Sequence, residues 1–111
     1  MRALSRYQDA YRQMSVKALQ TVYPGLPRET RQQLERQFRD CRAYDVTFLN
    51  PEVRPAENLT AASVNVRTTY ACQPKSGQQE RSQTVPDIFQ LSKVGDDWQI
   101  DDVGIGNTNR R

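Results

Sequence analysis

Hydrophobic positions recur along this chain with two different periods, and the change between them falls near residue 41. Leu4, Tyr7, Tyr11 and Met14 follow helical spacing, with Ala3 and Ala10 beside them. They form one apolar stripe of an amphipathic helix. Ser15 is placed to cap a second, shorter helix carrying Val16, Leu19, Val22 and Tyr23, which Pro24-Gly25 stops. Pro27 suits the first turn of a third helix, where its missing N–H costs nothing. Leu34, Phe38 and Cys41 mark that helix's buried side, and so few anchors predict a helix on the surface of the fold.

From Arg42 the period becomes two. Tyr44, Val46 and Phe48 alternate with Ala43, Asp45 and Thr47. Asn50-Pro51 interrupts this strand, and a proline there implies an edge position or a bulge. Residues 55–58 read as a hairpin turn. A long strand over 59–73 then carries Ala62, Val64, Val66, Thr68 and Tyr70 on one face, with Ser63, Asn65, Arg67 and Thr69 on the other. After a turn at Lys75-Ser76-Gly77, the next strand reaches Lys93 with Val85, Asp87, Phe89 and Leu91 on one face. Gly95-Asp96-Asp97 turns the chain into a last strand carrying Trp98, Ile100 and Asp102. Residues 1–104 therefore read as a single α+β domain: three N-terminal helices packed in a curved four-stranded antiparallel meander, a cone. Residues 105–111 read as a loose tail.

The opening Tyr7-x-x-Ala10-Tyr11 helix, the short helix ending Val22-Tyr23-Pro24 and the closing Phe89-x-Leu91…Gly95-Asp96-x-Trp98-x-Ile100 hairpin resemble the nuclear transport factor 2-like superfamily. The resemblance covers about residues 4–103 and includes ketosteroid isomerase, scytalone dehydratase and polyketide cyclases. It is nearer to small bacterial members that occur as accessory domains of larger proteins. It implies the cone fold and leaves function open between a binding module and a small enzyme.

Composition narrows the chemistry. The chain has 111 residues, 36% hydrophobic and 26% charged, enough for one core. It contains no histidine, which removes the usual general base, the Ser-His-Asp and Cys-His arrangements and most metal sites. The histidine-dependent dehydratases and cyclases are thereby set aside as templates; no cofactor or metal is expected. The net charge is +3, and the arginines Arg28, Arg31, Arg36 and Arg39 alternate with Glu29, Glu35 and Asp40 as on a solvated helix face. Nucleic-acid binding is not expected, nor is membrane insertion, since no apolar run approaches about 20 residues. Arg2 and Arg6 inside an amphipathic helix read as no signal peptide, so the chain is cytoplasmic or a domain excised from a longer polypeptide.

Carboxylate and tyrosine chemistry remains. Alternation points Asp87 at the buried face, where desolvation would raise its pKa and suit it to proton transfer. Tyr7, Tyr11, Tyr23, Tyr44 and Tyr70 could supply a phenolic donor, Tyr11 being the candidate partner, as in ketosteroid isomerase. The simpler expectation is that Pro86 breaks the strand, that a bulge turns Asp87 outward, and that the tyrosines are core packing with hydroxyls at the rim. Trp98 and Asp102 complete the candidate cavity residues, with the same ambiguity of direction at Asp102. Asn58-Leu59-Thr60 is formally a glycosylation sequon and reads more simply as a turn.

Pairing Arg54 with Leu59 across the hairpin brings Cys41 opposite Cys72, close enough for a disulfide; two buried free thiols are the other reading. A bridge would place the domain outside the cytoplasm. Ser63, Asn65, Arg67, Thr69 and Ala71, with Ile88, Gln90 and Val103, make an outer face suited to a homodimer contact. The expectation is a non-catalytic accessory or sensor domain of a larger bacterial protein, binding a small apolar ligand, a peptide or a partner subunit. The alternative is an isomerase or dehydratase using Asp87 with a cavity tyrosine.

Overall fold

The computed structural model describes residues 2–105 apart from Glu57 and Leu59. Its elements run α1 (Arg2–Arg12), α2 (Val16–Val22), α3 (Arg28–Asp40), β1 (Cys41–Pro55), β2 (Ala61–Pro74), β3 (Arg81–Val94) and β4 (Asp97–Ile105). The helices start where the caps require. The Ser15 hydroxyl accepts from the Ala18 N–H at 3.0 Å, and Pro27 sits one position before α3 with an extended ψ of 146°. Ala3, Leu4, Tyr7, Ala10 and Tyr11 bury the inner stripe of α1, and α3 buries only Leu34 and Phe38.

The strands form one antiparallel sheet in the order β1-β2-β3-β4. Three of them are 14 or 15 residues long, which gives the molecule its 48 Å long axis. The inner face carries Val46, Val64, Val66, Phe89, Leu91 and Ile100, all buried against the helices. Ion pairs and hydrogen bonds clip α1 to the sheet. Arg12 meets Asp45 of β1 at 2.8 Å, Arg6 pairs with Asp97 at the start of β4, and the Gln8 amide donates to the Val46 carbonyl. Pro51 lies on β1, an edge strand, beside a register shift between Leu49 and Glu52 where Asn50 takes a left-handed φ of 53°. Both conditions expected of that proline are met.

The register departs from the sequence expectation in one hairpin and in two bulges, at Cys41/Ala43 and opposite Gln90/Leu91. Arg54 pairs with Ser63, not Leu59, and β2 begins at Ala61; the turn's Glu57 and Leu59 lie outside the described residues. Asn58 accepts from the Thr60 N–H at 3.0 Å, which is the side-chain turn expected there. In β4 a register shift opposite Gln90/Leu91 inserts one extra residue, so Val103 pairs with Phe89 and packs against the core. The expectation that Val103 belongs to the outer face is therefore corrected. Asp102 pairs with Gln90 instead and is exposed. β4 continues to Ile105, past the expected boundary at 104; of the expected tail, residues 106–111 lie outside the described residues.

Candidate functional site

The inner face of β2 and β3 brings polar groups under α1. Asp87 is only 6% exposed. The β2–β3 pairing runs without a shift from Ala61↔Ser92 to Cys72↔Arg81, and Pro86 sits in register opposite Arg67. The expectation that a bulge at Pro86 turns Asp87 outward is thus overturned. The proline is therefore accommodated within the β2–β3 pairing without displacing its neighbours.

Tyr70, two pairs further along the same face, donates its hydroxyl to the Asp87 carboxylate at 2.8 Å. The Tyr7 and Tyr70 hydroxyls are 2.9 Å apart, and those of Tyr7 and Tyr11 3.4 Å. An ionised carboxylate only accepts, so Tyr70 gives it its single proton and in turn accepts from Tyr7. The hydroxyls expected at the rim therefore meet in the interior; Tyr7 is 3% and Tyr11 6% exposed. The partner of Asp87 is Tyr70, not Tyr11.

Burial sets the electrostatics. Desolvation pushes the Asp87 carboxyl above its ordinary value, opposed by Tyr70 and Thr68. The Thr68 hydroxyl is near enough to favour the ionised carboxylate, yet it makes no hydrogen bond of ordinary geometry and is fully buried. Desolvation also raises Tyr7, Tyr11 and Tyr70 far above the usual phenol range, with neighbouring tyrosines and Asp87 adding to the shift. All three remain neutral donors at any physiological pH. Burial raises Tyr23 and Tyr44 in the same direction.

A cavity of about 240 Å³ opens between this cluster and α2–α3, with Tyr7, Tyr11, Tyr23 and Tyr70 in its wall and Leu26 and Val103 opposite. Asp102 reaches its edge, while Asp87 is not among the residues that line it. Trp98 is half-buried against the core and Tyr44 points to a separate cavity at the strand ends. Among the described residues no group of carboxylate or cysteine side chains could hold a metal ion, and no helix is long and apolar enough to cross a membrane.

Cys41 and Cys72 form a disulfide. They are diagonal neighbours, since Cys41 pairs with Pro74 and Cys72 with Tyr44. The longer hairpin moves the expected partner by four residues, and shifts at Leu49/Glu52 and Cys41/Ala43 take part of that back.

Helices covering one face of a long, curved meander, with a polar cluster inside the cone, define a known architecture. The fold is that of the nuclear transport factor 2-like proteins. A protein of that superfamily from Salmonella enterica serovar Typhimurium superimposes with a TM-score of 0.72 at 13% identity, over 98% of this chain and 90% of the other. A candidate scytalone dehydratase from Novosphingobium aromaticivorans gives 0.77 at 13%, over 92% and 76%. A candidate dehydratase of the nuclear transport factor 2-like family from Streptomyces avermitilis gives 0.69 at 11%, over 91% and 88%. No protein-family model and no curated protein matches the sequence. At these identities the nuclear transport factor 2-like likeness concerns the fold alone.

Thr68 and Arg81 carry no role in the sequence reading. Alternation does place Thr68 inward beside Asp87. Nothing local could place Arg81 opposite Cys72, because that depends on the register of a distant hairpin.

Proposed function

We propose that the domain is a non-catalytic binding module, an accessory part of a larger bacterial protein, whose inner cavity holds a small ring compound bearing an acceptor oxygen. One observation carries this reading. The single inward carboxylate, Asp87, accepts from the Tyr70 hydroxyl and lines a separate cavity of about 450 Å³ with Glu52, Asn65 and Arg67, whereas four tyrosines line this one. A general base must reach the proton it removes. A cavity of about 240 Å³ suits one substituted ring, given that benzene fills engineered cavities of about 150 Å³. Burial keeps the phenols protonated, so Tyr11 and Tyr23 offer donors beside the apolar Leu19, Leu26, Pro27 and Val103, with Thr30 and Asp102 as the other polar lining.

The isomerase or dehydratase alternative draws on the raised pKa of Asp87, which suits a base, but for chemistry in the inner cavity it needs Tyr70 to swing aside. Acetophenone tests both, since it is one ring with an acceptor carbonyl and an enolisable methyl group. Titration followed by amide chemical shifts is expected to perturb Leu26 and Val103 saturably, with weakening in Tyr11→Phe. In deuterium oxide the methyl signal is expected to persist. Exchange abolished by Asp87→Asn but not by the exposed control Asp45→Asn would establish the enzyme instead. Absence of saturable shifts at millimolar ligand would reject the binding reading for this cavity.

A further inference from the structure

A larger cavity, about 460 Å³, lies at the other end of the strands and shares only Tyr70 with the inner one. Its volume falls within the range of small-molecule sites, about 300–1,000 Å³. The construction follows from the register. The start of β1, the end of β2 and the start of β3 meet there, with Cys41 beside Pro74 and Cys72 opposite Arg81. One wall is apolar and flat, made by the Cys41–Cys72 disulfide, Tyr44 and Tyr70. Tyr44 is held by edge-to-face contact with Phe38, ring centroids 5.6 Å apart, and its hydroxyl reaches Gln37 at 3.4 Å. This wall is therefore preorganised and needs little ordering to receive a ring.

The rim is charged and asymmetric. Arg81 lines it from β3 and is exposed, with no carboxylate partner among the described residues. Asp40 lines it from the end of α3, next to the first residue of β1. β1 and β3 flank β2, so these rims stand about 10 Å apart at ordinary strand spacing. The residues at this end of the sheet include Arg39, Arg42, Lys75 and Arg81 against Asp40 and Glu80, so the local field favours an anion.

We infer that this strand-end cavity is a second binding site, for a planar aromatic carboxylate, with the ring against Tyr44, Tyr70 and the disulfide and the carboxylate at Arg81. A hydroxyl at the far end of the ring would meet an acceptor in Asp40 or Gln37. Arg suits this task because its guanidinium can grip a carboxylate through two parallel bonds. The site has only Tyr70 in common with the inner cavity, and its assignment does not rest on what that cavity holds.

The probe is 6-hydroxy-2-naphthoate, whose fluorescence reports binding directly. Saturable one-to-one binding to the intact domain is expected. Arg81→Gln should weaken it about fivefold, the scale of an exposed charge pair, and 0.5 M salt should reproduce much of that loss. Tyr44→Leu should weaken it by removing the ring wall, and 2-naphthol, which lacks the carboxylate, should bind wild type and Arg81→Gln alike. Tyr23→Phe, which alters only the inner cavity, should leave the probe's affinity unchanged. No saturable binding, equal affinity in wild type and Arg81→Gln, or loss on Tyr23→Phe would each overturn the assignment. So would displacement by sulfate at equal concentration, which would mean a general anion patch.

Discussion

Removing the Cys41–Cys72 bridge is the perturbation whose size the structure fixes most directly. The cysteines are 31 residues apart in sequence, and the bridge ties the junction of α3 and β1 to the end of β2. In the chain-entropy model, closing a loop of that length restricts the unfolded chain by about 3.7 kcal/mol at 25 °C. A domain of this size unfolds with an entropy of about 0.23 kcal/mol/K, so the loss converts to a fall in Tm of about 16 °C. Alanine suits the replacement, because Cys41 is 2% exposed and serine would bury a hydroxyl there. The double variant Cys41→Ala/Cys72→Ala, and the wild type with reductant, should give the same lowered Tm by circular dichroism. Reductant should do nothing further to the double variant. A Tm drop under about 3 °C would refute the reasoning, as would two alkylatable thiols in carefully oxidised wild type.

Three further outcomes follow from the same geometry. Tyr70→Phe leaves Asp87 without its donor and Tyr7 without its neighbour; urea unfolding at pH 7 should show a loss of about 2–3 kcal/mol, and a change below 0.5 kcal/mol would contradict it. Burial raises the folded pKa of Asp87 above its ordinary value, so the native state holds that proton more tightly than the unfolded chain does. Wild-type stability relative to Asp87→Asn should therefore be fullest below about pH 4, near the ordinary carboxylate pKa, and should fall as pH rises through the folded pKa; urea midpoints that show the opposite slope would sink the assignment. The outer sheet face, with Ser63, Asn65, Thr69, Ala71 and Ile88 half-buried and Arg67 and Gln90 exposed, is proposed to pair two copies; sedimentation at 100 µM should give a dimer, and a monomer mass would reject it.

Architecture was legible because it rests on periodicity, and periodicity is local. The switch from helical to alternating spacing, read at Cys41/Arg42, falls one residue after the α3–β1 junction at Asp40/Cys41, so Cys41 opens β1 and does not close α3; the inward set Ala62, Val64, Val66 and Thr68 is buried as alternation requires. Register was less legible because it accumulates. One hairpin closed at Arg54↔Ser63 moves every β1–β2 pair, and each bulge moves those beyond it. The cysteines still met because a disulfide spans a diagonal neighbour as well as an opposite one; their Cα atoms are 5.7 Å apart. In β4 the error was a single inserted residue, and it exchanged Val103 for Asp102 at the core.

Asp87 shows why the site was harder to read than the fold. Its direction depended on whether Pro86 shifts the pairing of β3, and that is set by the register with β2, a different part of the chain. The β2–β3 pairing runs through Arg67↔Pro86 without a shift, so alternation survives the proline. Once inside, Asp87 took its character from Tyr70, which no spacing rule pairs with it; only the β2–β3 register puts them on one face within 2.8 Å. A carboxylate that looked free to act as a base is a hydrogen-bond acceptor behind a phenol. In this fold the surroundings of the inward carboxylate therefore rest on the pairing of two strands as much as on residue identity.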